Sequence, residues 1–199
     1  MKSIIVKIVL FAVIIFLGYM IYQSIQQPVK FLKEKKHRDI EVVQRLKDIR
    51  EVQSYYKNEK GVYTPSFDSL IAFLRYGEIP VVNLIPDPTD TTFTRTISDT
   101  LGFVKVSDSL FSKRRNFKIQ DLRFIPYADG AEFEMGAGTI DRGGVTVSVF
   151  EVKAPFSVYL KGLDEQRIMN LIAAEKAIER YTGLKVGSLT EPSTDGNWE

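Results

Sequence analysis

Val42-Val43-Gln44-Arg45-Leu46-Lys47-Asp48-Ile49-Arg50-Glu51-Val52-Gln53-Ser54-Tyr55-Tyr56 is the stretch from which the rest of the chain can be read. Val42, Leu46, Ile49, Val52 and Tyr56 recur at steps of four, three, three and four, which is the spacing of one face of an α-helix. Charges fill the other side, where Glu34 with Arg38, and Glu41 with Arg45, stand one helical turn apart and can pair for a few tenths of a kcal/mol each. A helix with a single apolar stripe has to bury that stripe against another element. The helical pattern runs from Val29 to Lys57, and Gly61 closes it.

Towards the amino terminus, Ile4 to Tyr22 is apolar except for Lys7. A helix rising about 1.5 Å per residue needs roughly 20 such residues to cross the hydrocarbon layer, and this run just reaches that. A cleaved signal peptide is the competing reading, but Gln23-Ser24-Ile25-Gln26-Gln27 offers no small-x-small cleavage site, so an uncleaved anchor is expected. Pro28 stands at the junction, where it either kinks one continuous rod or starts a second helix at its first turn. Lys30, Lys33, Lys35, Lys36 and Arg38 follow, and beside lipid headgroups each positive charge gains about 1 kcal/mol from an anionic leaflet.

Towards the carboxyl terminus, Ser66 is placed to cap a helix from Phe67 to Tyr76 that Gly77 ends. Ile79 to Thr100 is rich in Pro, Thr and Asp and reads as a surface connection with one short strand at Val81 to Ile85. From Phe117 the period changes to two, and Lys118 to Ile125, Ala131 to Ile140, Val145 to Val152 and Phe156 to Leu160 read as four strands. Asp129-Gly130 and Arg142-Gly143-Gly144 suit antiparallel joins. In Val145-Thr146-Val147-Ser148-Val149 the valines take one face and the hydroxyls the other, as in a sheet with one buried side, and the long helix is its natural cover. Asp164 then caps a last helix lined by Ile168, Leu171, Ala174, Ile178 and Tyr181 and ended by Gly183. The tail is polar until Trp198, whose large ring is expected to dock.

These elements predict an α+β fold: an N-terminal transmembrane helix, a long amphipathic helix packed on an antiparallel sheet of about four strands, and a C-terminal helix. Residues 1–27 form the anchor, 28–78 the amphipathic and short capped helices, and 79–199 the sheet with its last helix and tail, with 28–199 one folded unit. The 199 residues suffice for one domain beside the anchor, and a net charge of +2 points to no particular partner. Without cysteine the chain has no disulfide, thiolate metal site or cysteine nucleophile. The one histidine, His37, lies in the basic run, where a solvated role is expected in place of a zinc site or a serine–histidine triad.

Each candidate site has a plainer alternative. Gly136-Ala137-Gly138-Thr139-Ile140-Asp141 carries two glycines of a dinucleotide loop, but Asp141 takes the third place and a hairpin follows, so a close-packed or bulged strand is expected. Glu132 and Glu134 share a face of their predicted strand, roughly 7 Å apart, as a glycosidase pair would, and equally as alternate charges on a solvated sheet. Asp129 completes the possible acids and bases. Lys113-Arg114-Arg115 lacks the interleaved aromatics that nucleic acid favours. Asp87 with Asp90, or Asp195 with Asn197, offer oxygen ligands for calcium without EF-hand spacing. No catalytic, cofactor or metal residue is assigned on these grounds, and nucleic acid is not an expected partner.

The order of anchor, charged amphipathic helix, variable loop and antiparallel sheet resembles type IV pilins and the pseudopilins of type II secretion systems. Arg45 to Tyr56, followed by Gly61-Val62-Tyr63 and Phe67-Asp68-Ser69-Leu70, is similar to the stretch in which pseudopilin helices leave the membrane and end. Those families carry a leader cut before phenylalanine and a glutamate within the apolar run. Lys2 to Tyr22 has neither, so the resemblance implies an architecture and not the filament chemistry. Pseudopilins sometimes hold calcium in a late loop, which is what the resemblance implies for Asp195 and Asn197. Arg45-Leu46-Lys47-Asp48-Ile49-Arg50, Gly136-Ala137-Gly138-Thr139-Ile140 and Gly196-Asn197-Trp198-Glu199 are also similar to stretches in uncharacterised single-pass envelope proteins of the Bacteroidota, which implies a location and no activity.

The expected role is therefore that of a non-enzymatic structural or assembly component in the inner membrane, meeting the bilayer and either other envelope proteins or its own copies. A small envelope enzyme using carboxylates, or a ligand-sensing domain with an apolar pocket, is the alternative. The positive-inside rule sets Lys2 and Lys7 against the larger cluster from Lys30 to Arg38 and favours a cytoplasmic domain; the pilin-like order favours the periplasm, which is the side expected here.

Overall fold

A computed structural model describes residues 2–86, 96–112 and 117–199. One helix, α1 (Lys2–Lys60), dominates it, and its 59 residues at about 1.5 Å each make a rod of about 88 Å. The helix runs through Pro28, whose ring removes the donor that would bond the Ser24 carbonyl. Its amino-terminal third is exposed on all sides, whereas Val42, Leu46, Ile49 and Val52 are fully buried. Glu34 and Arg38 form the expected pair, at 3.2 Å. Gly61, at φ 80°, ends the helix with its N–H on the Lys57 carbonyl.

Helix α2 (Phe67–Tyr76) follows as expected, with the Ser66 hydroxyl accepting from the Ser69 N–H. Gln53, buried inside α1, ties the two helices together: its carboxamide donates to the Thr64 carbonyl at 2.6 Å and accepts from the Thr64 N–H at 3.2 Å, as a second peptide group would.

The expected strand at Val81 to Ile85 lies within β1 (Glu78–Pro86), and the segment around it, expected to be a connection, holds a second strand as well, β2 (Thr96–Lys105). The two pair antiparallel in a two-stranded ribbon. Proline cannot donate into a ladder, so Pro80 and Pro86 occupy positions whose backbone faces away from β2 and do not break the pairing. The register slips by one between Val81 and Val82, leaving Leu101 as the extra residue of a bulge. Helix α3 (Val106–Phe111) returns the chain to the core.

Two other predicted strands are helical. Lys118 to Ile125 contains a 3₁₀ turn, Ile119–Arg123, because its buried residues Leu122 and Ile125 are spaced by three. Phe156 to Leu160 is the one-turn helix α4 (Phe156–Tyr159), where Phe156, Tyr159 and Leu160 are all buried and Pro155 fixes the entry. The main sheet thus has three strands, not about four: β3 (Glu134–Arg142), β4 (Val145–Pro155) and a fifth strand absent from the sequence reading, β5 (Gly183–Gly187), in the order β3-β4-β5 and antiparallel throughout.

Helix α1 covers this sheet, but not on the expected side. The buried run Phe150, Val152 and Ala154 shares a face with Thr146 and Ser148, and the Ser148 hydroxyl reaches the Gly61 carbonyl at 3.5 Å. Val145, Val147 and Val149 point the other way. Helix α5 (Glu165–Ala177) begins at Asp164, whose carboxylate caps the Arg167 N–H, and stops earlier than Gly183. Glu179 turns the chain at φ 55°, leaving Ala174 and Ile178 exposed and Tyr181 outside the helix.

The tail docks as expected. Trp198 packs against the core, close over Gly196, where a Cβ would collide with the ring. Backbone bonds from Gly187 to Asp195 and from Asn197 to Lys185 lay the tail along β5, and Arg50 of α1 meets Glu199 at 2.9 Å.

Candidate functional site

The acidic candidates Glu132, Glu134 and Asp129 are all exposed. β3 begins at Glu134, so Glu132 lies just outside it, in an isolated bridge with Phe124, and the two carboxylates are both exposed on either side of the buried Phe133, as alternate charges on a solvated face would be. Arg123 pairs with Glu132 at 3.1 Å and reaches Asp68 at 3.2 Å. Asp129, at φ 49°, meets Lys161 at 3.2 Å on the surface.

The remaining candidates are structural. His37 is exposed, and its Nε2 lies 3.0 Å from the Tyr127 hydroxyl. Gly136 lies under Leu189, where a Cβ would sit 3.1 Å from a methyl carbon, so the glycine admits a close approach. Asp141 accepts from the Gly144 N–H at 3.0 Å and shapes the β3–β4 turn. In the tail, Asn197 accepts from the Lys185 N–H at 3.0 Å and donates to the Gly183 carbonyl at 2.8 Å, while Asp195 accepts from the Ser193 hydroxyl. Among the described residues no group of three or more His, Asp or Glu is gathered as a metal would require. Asp87, Asp90 and Lys113-Arg114-Arg115 lie outside the described residues.

A charge cluster that the sequence reading missed sits on the face of the sheet away from α1. Glu151, buried in mid-β4, takes Lys153 at 2.5 Å and Lys185 of β5 at 3.0 Å. Burial alone would push its carboxyl up, but hydrogen bonds and charge from the two lysines outweigh it and hold the group below the usual carboxylate range. Tyr181 lies beside them with its ring under Lys153, and burial, with Glu134 and Glu151 adding to it, pushes its phenol up. The signal was the pair Glu151 and Lys153 inside an otherwise apolar run. Its chemistry is that of a clamp between β4 and β5.

A second clamp holds α4 to α1. Arg38 donates to the carbonyls of Tyr159 at 2.9 Å and Lys161 at 3.0 Å, and the buried Tyr159 hydroxyl donates to Asp39 at 2.7 Å. Lys35 meets the same Asp39 at 2.6 Å. Burial, followed by the Asp39 charge, pushes the Tyr159 phenol far up. Two members of the basic run therefore serve packing.

What remains exposed is surface. Among the described residues one helix is long and apolar enough to cross a membrane, as a signal segment also would be, and its apolar window is wholly unburied. At the other end of α1 the β1–β2 ribbon leaves Leu101 67% and Phe103 66% exposed, with Val81, Ile85 and Tyr76 also open. The ribbon starts beside Tyr55, Asn58 and Glu59, which line a cavity of about 310 Å³ with Phe73 and Ile79. Tyr55 is about 50 Å along the helix from Tyr22. A groove of about 690 Å³ past Tyr181 and Trp198 is lined by both signs of charge, among them Lys35, Asp39, Glu175 and Arg180. Set against protein-family models, curated proteins and solved structures, the chain matches none of them.

Proposed function

We propose that this chain is a single-pass envelope protein whose domain acts as a structural or assembly component through protein–protein contacts. The domain stands on the periplasmic side of the inner membrane, and its architecture is pilin-like. The observation that carries this reading is the β1–β2 ribbon, which is held out at the end of α1 remote from the apolar run and exposes Leu101 and Phe103. A two-stranded ribbon is marginal on its own in water, and an added surface would cover its apolar side chains. Of the candidate carboxylates Glu132, Glu134 and Asp129, two support this reading in another way: Glu132 is tied to Arg123 and Asp129 to Lys161.

A photo-crosslinking residue at position 101 or 103, in native membranes, tests the contact. A discrete adduct is expected, with another envelope protein or with a second copy of the chain. Adducts no more frequent than from the exposed Arg142 position would overturn the role of the ribbon. Protease added to spheroplasts tests the side, with a tag after Glu199. Loss of the tag is expected, whereas full protection with intact controls would place the domain in the cytoplasm.

A further inference from the structure

We propose that the groove between the base of the domain and α1 holds the phosphate of an anionic phospholipid headgroup. This inference rests on the reading of α1 as a membrane span. Gln27, Lys30, Phe31, Lys33 and Glu34 form one wall and Leu163 with Asp164 the other, around about 610 Å³. The second wall is built, because Arg38 grips the Tyr159 and Lys161 carbonyls just before the turn at Gly162.

Charge decides the occupant. Both carboxylates in the lining already have cations, Glu34 on Arg38 at 3.2 Å and Asp164 on Arg167 at 3.3 Å. Lys30 and Lys33 are exposed, and neither makes an ion pair among the described residues. Among the described residues the groove therefore presents two uncompensated ammonium groups beside the apolar side chains of Phe31 and Leu163 in its lining, which suits a phosphate joined to glycerol and the first acyl carbons.

Height agrees with charge. Lys30 is about 12 Å along the helix from Tyr22, and a lysine stem that snorkels back brings its ammonium to the headgroup layer. Lys36 lies farther along, is exposed, and does not line the groove.

The test uses the full-length chain in detergent, incubated with phosphatidylglycerol or phosphatidylcholine and read by native mass spectrometry for retained lipid. Selective retention of phosphatidylglycerol is expected, falling about fivefold for Lys30→Gln or Lys33→Gln and about 30-fold for the double variant. Lys36→Gln should retain as much as wild type. Equal retention of both lipids overturns the inference. So does an unchanged double variant, or an equal loss in Lys36→Gln, which would mark a diffuse field instead of a groove. Displacement of the lipid by millimolar inorganic phosphate would also overturn it, in favour of a free-anion site. Flotation of the same protein with liposomes separates the two claims, since failure to float removes the membrane span itself.

Discussion

Gln53 shows how much one side chain inside α1 carries. With its carboxamide bonded to both backbone groups of Thr64, it replaces the water those groups would lose on burial. Gln53→Leu leaves both unpaired, and a loss of about 2–5 kcal/mol is expected in thermal denaturation of the full chain in detergent. Glu151 carries a dependence on pH. Its folded value lies below the unfolded one of about 4.3, so the stabilisation is complete above that value and is lost as pH falls through the folded one. Glu151→Gln should cost about 1–3 kcal/mol at pH 7, and its deficit in melting temperature against wild type should shrink progressively as pH falls below about 4.3; a difference that stays constant until the fold is lost to acid would show that charge is not the cause. Neither residue's role was legible in the sequence, although Glu151 with Lys153 stood out in an apolar run. Polar letters within a helix or a strand read as solvent-facing, and only the fold brings Thr64 to Gln53 or Lys185 to Glu151.

Among the elements, α1 was the most legible because five apolar positions repeat its period with no competing signal. Leu46 and Ile49 are fully buried, so Leu46→Asp or Ile49→Asp forces a carboxylate, or its protonation, into the core at a cost of several kcal/mol. Loss of the cooperative melt is expected from both, by circular dichroism; a wild-type melting temperature would mean that the stripe serves a partner instead of the core. Short elements were less legible. Four or five apolar-rich residues fit a strand and a helical turn alike, and at Leu122–Ile125 and Phe156–Leu160 tertiary burial chose the turn. At Ile79 to Pro86 the short strand Val81 to Ile85 was legible and lies within β1; the prolines argued against a longer one, yet both fall where the backbone needs no donor. The candidate surface there was invisible because β2 was not read: without it there is no ribbon on which Leu101 and Phe103 stand out.

On the scale of the molecule, the described side chains of the apolar third of α1 are all exposed, while Phe31 and the buried residues after it pack in the core of the domain. Removing Met1 to Gln27 should therefore leave a soluble, folded domain with a cooperative melt. Aggregation of that fragment, when the full chain folds in detergent, would show that the two parts are not separable. The overall class and the anchor-like run were readable from the sequence because each depends on a long periodic signal; strand count and the covered face of the sheet depend on non-local pairing and were not. The docking of Trp198 beside Gly196, with Glu199 on Arg50, also imposes a timetable. Synthesis proceeds from the amino terminus at about 5–20 residues per second, so α1 is complete about 7–30 s before the residues that close over it exist. During that interval the core that Val42, Leu46, Ile49 and Val52 join is still incomplete, and the greasy helix face gains its cover piece by piece on every ribosome until the single indole arrives.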